Sequence, residues 1–419
     1  MSSTDLAGGT APTSGTAPTS GTAPTSGTTP SGDTRTAGDG RSRSTVLPGY
    51  GAASLSGLLP SVAAALGLPT SRSTLAIPAA RAYVVLLVDG LGDLLLRRHA
   101  ADAPYLAGRL ETSRPLTAPL PSTTATSLTS LGTGLPPGAH GVAGFTTRIP
   151  GSNRLLNALD WDPAVDPRRW QPHPTVFEQL SGHGVRATVV NQRSFRGKGL
   201  TVASMRGAEF VGANTAGERI AATVAAASRG RSLTYTYDSE LDSTGHRQGC
   251  TSLAWRHQLR MVDAAAAQLR AAMPADACLL VTGDHGMVDV AAHDRVDVDT
   301  EPELLDGVVL LGGEARFRQL YCAEGAAPDV AGRWRQRLGS EAVVLERSAA
   351  IAAGWFGAVA PEVVDRLGDV LVACLGDVAV LSTSLFPLEA KLVGLHGSLS
   401  AEEMLVPLLV DAGDLAPDR

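Results

Sequence analysis

Cysteine is scarce in this 419-residue chain. Cys250, Cys278, Cys322 and Cys374 stand far apart and form no CxxC pair, which removes zinc-finger and dithiol redox readings. Cys278 and Cys374 lie in apolar runs and read as core thiols, in keeping with a reducing compartment. An excess of positive charge is also missing. The 35 Lys and Arg against 41 Asp and Glu give a formal charge of -6, so there is no general basic field for nucleic acid or an anionic membrane. No stretch reaches the ~20 apolar residues of a membrane span; the early run at 84–88 is cut by Asp89. Residues 1–40 lack the basic start and apolar segment of a secretory signal. The expectation is a soluble, cytoplasmic protein with neither membrane nor nucleic acid as partner.

What is there is ample apolar material, 44% of the residues, enough for a large core. It does not begin at once. Residues 1–44 repeat the unit Gly-Thr-Ala-Pro-Thr-Ser from Gly9, Gly15 and Gly21, with no aromatic before Tyr50. Such a segment cannot offset its ordering entropy and is expected to be a disordered tail, either a tether or a neutral repeat expansion. Beyond it, strand-like runs at 82–88, 185–190, 232–237, 278–282 and 308–311 alternate with Ala/Leu/Arg-rich helical stretches such as 252–273. That alternation predicts an α/β fold with a mainly parallel central sheet flanked by helices. The run 404–410 is a last strand or helix. Residues 293–393 differ in character, with an Arg-rich helix near 333–337 and the turn Trp355-Phe356-Gly357. They read as a smaller inserted lobe in a core made of 45–292 and 394–419.

The chain is organised around Val281-Thr282-Gly283-Asp284-His285-Gly286-Met287, where a buried strand delivers a carboxylate and an imidazole into a loop. Open α/β sheets keep their active sites at such strand ends. Four further stretches offer oxygen or imidazole donors: Val88-Asp89-Gly90, the hydroxyl cluster from Ser122 to Ser127, Asp242-Ser243-Thr244-Gly245-His246, and His396-Gly397-Ser398. Taken singly, each has a plain structural reading: Asp89 as a cap, Asp242 and His246 as an exposed polar loop, His396 as a turn residue, and the hydroxyls as a helix start. Taken together they amount to three carboxylates, three imidazoles and a hydroxyl, enough for two divalent ions with open positions.

This order of motifs resembles the alkaline phosphatase superfamily, and within it the type I phosphodiesterase/nucleotide pyrophosphatase family. The resemblance rests on Val88-Asp89-Gly90, on Pro121 through Thr133-Gly134-Leu135 to His140-Gly141, on Asp242 to His246, on Asp284-His285-Gly286 and on His396-Gly397-Ser398. It implies an alkaline phosphatase-like fold and a phosphohydrolase acting on a small phosphate ester or nucleotide-like substrate. It also implies a residue set. One ion is expected at Asp89, Thr124, Asp284 and His285, the other at Asp242, His246 and His396, and Thr124 is expected to be the nucleophile. A mixed His/carboxylate set suits Zn2+, with manganese as the alternative. The periodicity of Ala125, Leu128 and Leu131 independently puts Thr124 at a helix start, where N–H groups favour an oxyanion.

One departure from the family pattern stands at Phe145, where diesterases of this type commonly carry an asparagine. Phenylalanine cannot donate a hydrogen bond, so Thr146 or Thr147 takes that task or the substrate contact differs. The loop after 185–190 offers Arg193, Arg196 and Lys198 as further substrate contacts, or as a merely solvated basic loop. Other branches of the superfamily remain as alternatives: phosphomonoesterase, phosphonate hydrolase, phosphomutase, or a non-catalytic metal-binding relative. A sulfatase is disfavoured because Ser122 to Ala125 lacks the Cys/Ser-x-Pro-x-Arg pattern.

Overall fold

A computed structural model describes residues 45–413. The expected tail, residues 1–44, lies outside the described residues. Six strands form the central sheet in the order Leu408–Asp411, Ala277–Gly283, Ala82–Val88, Ser232–Asp238, Arg186–Asn191 and Glu209–Gly212. The first pair is antiparallel and the other neighbours are parallel. The mainly parallel α/β sheet expected from the alternation is therefore present.

The side-chain period of two divides this sheet into two buried faces. Tyr83, Val85 and Leu87 pack with Tyr235, Leu280, Leu128 and Leu131 on one side. Val84, Leu86 and Val88 pack with Leu259, Val262 and Ala266 on the other. The latter group comes from the helix Leu253–Ala272, which matches the stretch read at 252–273. Because both faces of Ala82–Val88 are covered, all seven of its residues are buried, which is why its sequence is continuously apolar rather than alternating.

Residues 308–311 belong instead to a separate four-stranded antiparallel sheet. Its order is Val308–Glu314, Phe317–Cys322, Val370–Cys374 and Ala342–Glu346, and it falls within the 293–393 stretch. The helix Ala327–Leu338 covers one face, burying Val330, Trp334 and Leu338 against Val344 and Val372. The other face buries Phe317, Leu371 and Ala373 with Leu120, Leu399 and Met404. Arg316 and Glu403, both fully buried, tie that face to the C-terminal stretch through two hydrogen bonds of 2.9 and 2.6 Å. The final apolar run, 404–410, takes in the end of the short helix Ala401–Met404, the two-residue strand Leu405–Val406 and most of the edge strand Leu408–Asp411.

Candidate active site

Three neighbouring parallel strands each deliver an aspartate beyond their carboxyl ends. Val88 lies beside Gly283 and beside Asp238 in register. Asp89 and Asp284 therefore follow adjacent strands at the same level, and Asp242 comes four residues after Asp238. Gly90 makes the turn after Asp89 with φ +73° and donates its N–H to Asp284 Oδ1 at 3.0 Å. A Cβ at Gly286 would come within 1.8 Å of the Glu402 carbonyl, so only glycine lets the His285 loop pack this closely.

The stretch 242–246, read from its composition as a loop, is helical and lies within Glu240–Gln248. The correction has a simple cause. Asp242 and His246 sit one helical turn apart, so both face the same way, and His246 Nε2 comes 3.3 Å from Asp242 Oδ2. Gly245, which looks like a loop signal, is needed because a Cβ there would strike Met287 Sδ at 2.4 Å.

The three imidazoles share one arrangement. His285 Nδ1 bonds the Gly286 carbonyl at 2.9 Å, His246 Nδ1 the Gly394 carbonyl at 2.8 Å, and His396 Nδ1 the Ser122 carbonyl at 3.0 Å. A carbonyl only accepts, so each Nδ1 carries a proton, and Nε2 is the ring atom left to offer a lone pair to a cation. The Nε2 atoms face the carboxylates. His285 Nε2 lies 3.4 Å from Asp89 Oδ1 and 3.6 Å from Asp284 Oδ2, and His396 Nε2 lies 3.9 Å from Asp242 Oδ1. The His285 and His396 rings stack at 3.6 Å. Single donor atoms of Asp89, Asp284 and His285, and likewise of Asp242, His285 and His396, lie within 4.8 Å of one another.

Thr124 opens the helix Thr124–Thr133, as its spacing predicts, and its Oγ1 stands 3.2 Å from His285 Nε2. No side chain caps this helix. Ser127, one turn on, donates to the Asp284 carbonyl at 2.7 Å and so fixes the helix start against the His285 loop.

The electrostatics are those of a site built for cations. Burial, then repulsion from Asp284 and Asp242, holds the Asp89 carboxyl well above the usual carboxylate range. Burial also raises Asp284. His396 is held well below the usual imidazole range by burial, then by His285 and His246. Asp89 Oδ1, Asp242 Oδ1 and Asp284 Oδ2 are buried without any hydrogen-bond partner. Buried acceptors of this kind are costly unless something positive meets them, and the donor set of carboxylates and Nε2 atoms fits divalent ions.

Two residues at this site carry only a faint mark in the sequence. Tyr237 donates its hydroxyl to Asp89 Oδ2. Its one signal is strand parity, which puts it on the same sheet face as Tyr235 and the Thr124 helix. Glu314 is buried, with Oε2 3.7 Å from His396 Nδ1, and burial drives its carboxyl well above the usual range. Only its place at the end of a strand, after Gly312-Gly313, set it apart.

Asp89, Thr124, Asp242, His246 and His396 line one cavity of about 830 Å³ together with Phe145, Thr146 and Lys198. Thr146 donates its hydroxyl to the Gly313 carbonyl. Arg193 and Arg196 are directed elsewhere. Arg193 pairs with Glu218 at 3.0 Å, and Arg196 lies 4.7 Å over the Phe210 ring and bonds the Phe210 carbonyl. Neither lines the cavity. Among the described residues, no helix is long and apolar enough to cross a membrane.

The sequence profile of the type I phosphodiesterase/nucleotide pyrophosphatase family matches residues 83–399. No curated protein is similar to the chain at a significant level. Solved structures share the fold. Murine ectonucleotide pyrophosphatase/phosphodiesterase 5 superposes with a TM-score of 0.62 at 16% identity, covering 78% of this chain and 87% of that one. An inactive threonine-to-alanine form of the same murine protein, in complex with AMP, gives 0.60 at 16% identity over the same shares. Phosphonoacetate hydrolase from Sinorhizobium meliloti 1021, in complex with phosphonoformate, gives 0.61 at 20% identity, covering 82% of this chain and 94% of that one. The family is metal-dependent, typically with two divalent ions, and the clustered carboxylates and imidazoles accord with that. The chain therefore belongs to the type I phosphodiesterase/nucleotide pyrophosphatase family, hydrolases that act on phosphoester bonds.

Proposed function

We propose that the chain is a phosphodiesterase in which Thr124 is the nucleophile and two divalent ions, zinc by the character of the donors, are held side by side. Asp89, Thr124, Asp284 and His285 would hold one ion, and Asp242, His246 and His396 the other. The observation that carries this reading is the trio of unpartnered buried oxygens, Asp89 Oδ1, Asp242 Oδ1 and Asp284 Oδ2, set among imidazoles whose Nε2 atoms face them. Such ions, when bound, neutralise charge on the phosphoryl oxygens and favour the ionised forms of the entering and leaving oxygens.

The chain's own residues account for the rest. Thr124 Oγ1 gives up its proton and attacks phosphorus; an Oγ–P bond forms, the P–O bond to the leaving group breaks, and the leaving oxygen takes up a proton to depart as the alcohol. Water then attacks phosphorus, the Oγ–P bond breaks, and the proton that water loses goes to Thr124 Oγ1. The uncapped start of Thr124–Thr133 offers first-turn N–H groups and the positive end of the helix to a non-bridging oxygen. The inactive threonine-to-alanine form of the murine neighbour is in keeping with a threonine nucleophile.

Diesters are favoured over monoesters because a monoester brings a second negative charge. Lys198 is the one Lys or Arg lining the cavity, and Arg193 and Arg196 are engaged elsewhere. The expected preference in kcat/KM for an aryl diester over the matching monoester is at least about tenfold.

The test combines activity with metal content. Thr124→Ala should keep its bound metal and lose nearly all turnover, and Thr124→Ser should keep a fraction. Substantial turnover by Thr124→Ala would overturn the assignment. Phosphonoacetate assayed in parallel would, if it were the better substrate, place the chain with the phosphonate hydrolases instead.

A further inference from the structure

Eight large hydrophobic residues are exposed among the described residues, and three of them, Leu159 (49%), Leu385 (57%) and Leu388 (71%), line the cavity that holds Thr124. They come from two separate segments, one just after the strand Leu155–Asn157 and one in the turn after Ser382, so chance adjacency in sequence does not explain them. Phe145, Phe195 and Phe386 line the same cavity. Exposed apolar side chains are ordinary when scattered; gathered around one opening that leads to a reactive centre, they mark a binding surface.

Several polar groups of the same walls are engaged within the protein. Asn157 Oδ1 accepts from the Leu159 and Asp160 N–H groups at 2.9 and 3.2 Å. Asn191 Oδ1 accepts from the Gln192 N–H at 2.8 Å. The Thr146 and Ser204 hydroxyls donate to the Gly313 and Leu200 carbonyls, both at 2.7 Å. A nucleoside carries ribose hydroxyls and a base edge that lose water on entering and need partners in return. An alkyl chain needs none.

The geometry points to a phosphodiester with an apolar ester arm, an alkyl chain rather than a nucleoside, as the substrate class of this site. The inference rests on the phosphodiesterase reading above. The phosphoryl group sits at Thr124, and the chain lies along the phenylalanines toward Leu159, Leu385 and Leu388. A fully buried methylene is worth about fourfold in a binding or specificity constant. At an open mouth about half of that free energy is realised, so the five methylenes added from methyl to hexyl give about thirtyfold.

Two readouts test this on the metal-loaded, full-length protein. One is kcat/KM for methyl, hexyl and 5′-thymidyl p-nitrophenyl phosphodiesters. The other is the Kd, by calorimetry, of dimethylphosphinate and hexyl(methyl)phosphinate, diester analogues whose two P–C bonds leave no ester to cleave. The expected result is about thirtyfold in favour of hexyl in both, with the thymidyl ester below the hexyl ester. Leu159→Ser/Leu385→Ser/Leu388→Ser, at positions exposed enough to leave the fold intact, should cut the hexyl-to-methyl ratio below about fivefold with little change in Tm. A ratio under about threefold in the wild type, a thymidyl ester that outpaces the hexyl ester, or a triple variant that keeps the full ratio overturns the inference. If no ester is hydrolysed but hexyl(methyl)phosphinate still binds in preference to dimethylphosphinate, the phosphodiesterase reading fails and the apolar arm stands. No turnover and no preference rejects both.

Discussion

Asp89→Asn should raise the Tm of the metal-free protein and lower that of the metal-loaded one. In the metal-free state Asp89 shares a buried space with Asp284 and Asp242, and Asp89 Oδ1 has no partner. Single donor atoms of Asp89, Asp284 and His285 lie within 4.8 Å of one another. Two unit charges at roughly that distance repel by about 3.5 kcal/mol at an effective dielectric near 20. Part of that is relieved by protonation, so a neutral amide should stabilise the metal-free fold by about 2 kcal/mol at pH 7.5. For a domain of this size that is about 2–3 °C. The Tyr237 hydroxyl retains an acceptor in the amide oxygen, so nothing new is orphaned.

The pH dependence has a definite sign. The folded-state carboxyls of Asp89 and Asp284 are raised. Between the usual carboxylate range and their raised values, the folded state therefore binds more protons than the unfolded chain, and these groups lose stability as pH rises. His396, lowered in the fold, works the other way as pH passes the usual imidazole range. Asp89→Asn should flatten only the first effect. Scanning calorimetry with chelator and with zinc, at pH 5 and 7.5, measures all of it. An Asp89→Asn protein that melts lower than wild type in chelator, by as much as it does in zinc, would mean that the clustered carboxylates do not destabilise the metal-free fold.

Tyr237→Phe removes the donor to Asp89 and should weaken metal binding by about 10–100-fold with the fold intact, read by chelator competition; unchanged affinity would make Tyr237 a mere wall residue. Arg316→Met leaves the buried Glu403 carboxylate without its cation, held only by the Ser398 N–H and the Ser400 hydroxyl, and should cost about 3–5 kcal/mol in chemical unfolding. Arg316→Met/Glu403→Leu should recover most of that loss, and failure to do so would show that the pair holds the C-terminal stretch in a way apolar packing cannot.

Much of the sheet was legible because both of its faces are covered. The run 82–88 is continuously apolar, and its strand ends fall where Asp89 interrupts the pattern. The strand Glu209–Gly212 escaped notice because it is a four-residue edge strand with no buried residue to impose a pattern. The antiparallel sheet within 293–393 was visible only at 308–311, since Arg316, Arg318 and Gln319 are polar residues buried by pairing rather than by patterning. The motif residues from Asp89 to His396 were readable as types, and the structure brings Asp89, Thr124, Asp242, His246, Asp284, His285 and His396 together. Their second layer was not readable. Tyr237 looks like any strand tyrosine, Glu314 like any strand-end acid, and the 242–246 stretch like a loop until Met287 is seen against Gly245. The basic loop looked alike in all three cations, yet only Lys198 reaches the cavity, because Glu218 and the Phe210 ring hold the other two.

Attack by Thr124 followed by release to water leaves its mark in the configuration at phosphorus. Each in-line displacement inverts phosphorus. A chiral phosphorothioate diester hydrolysed in isotopically labelled water should therefore give product with net retention, the outcome of two successive inversions through the Thr124 ester. Net inversion would mean that water attacks phosphorus in a single step, and would contradict Thr124 as the nucleophile.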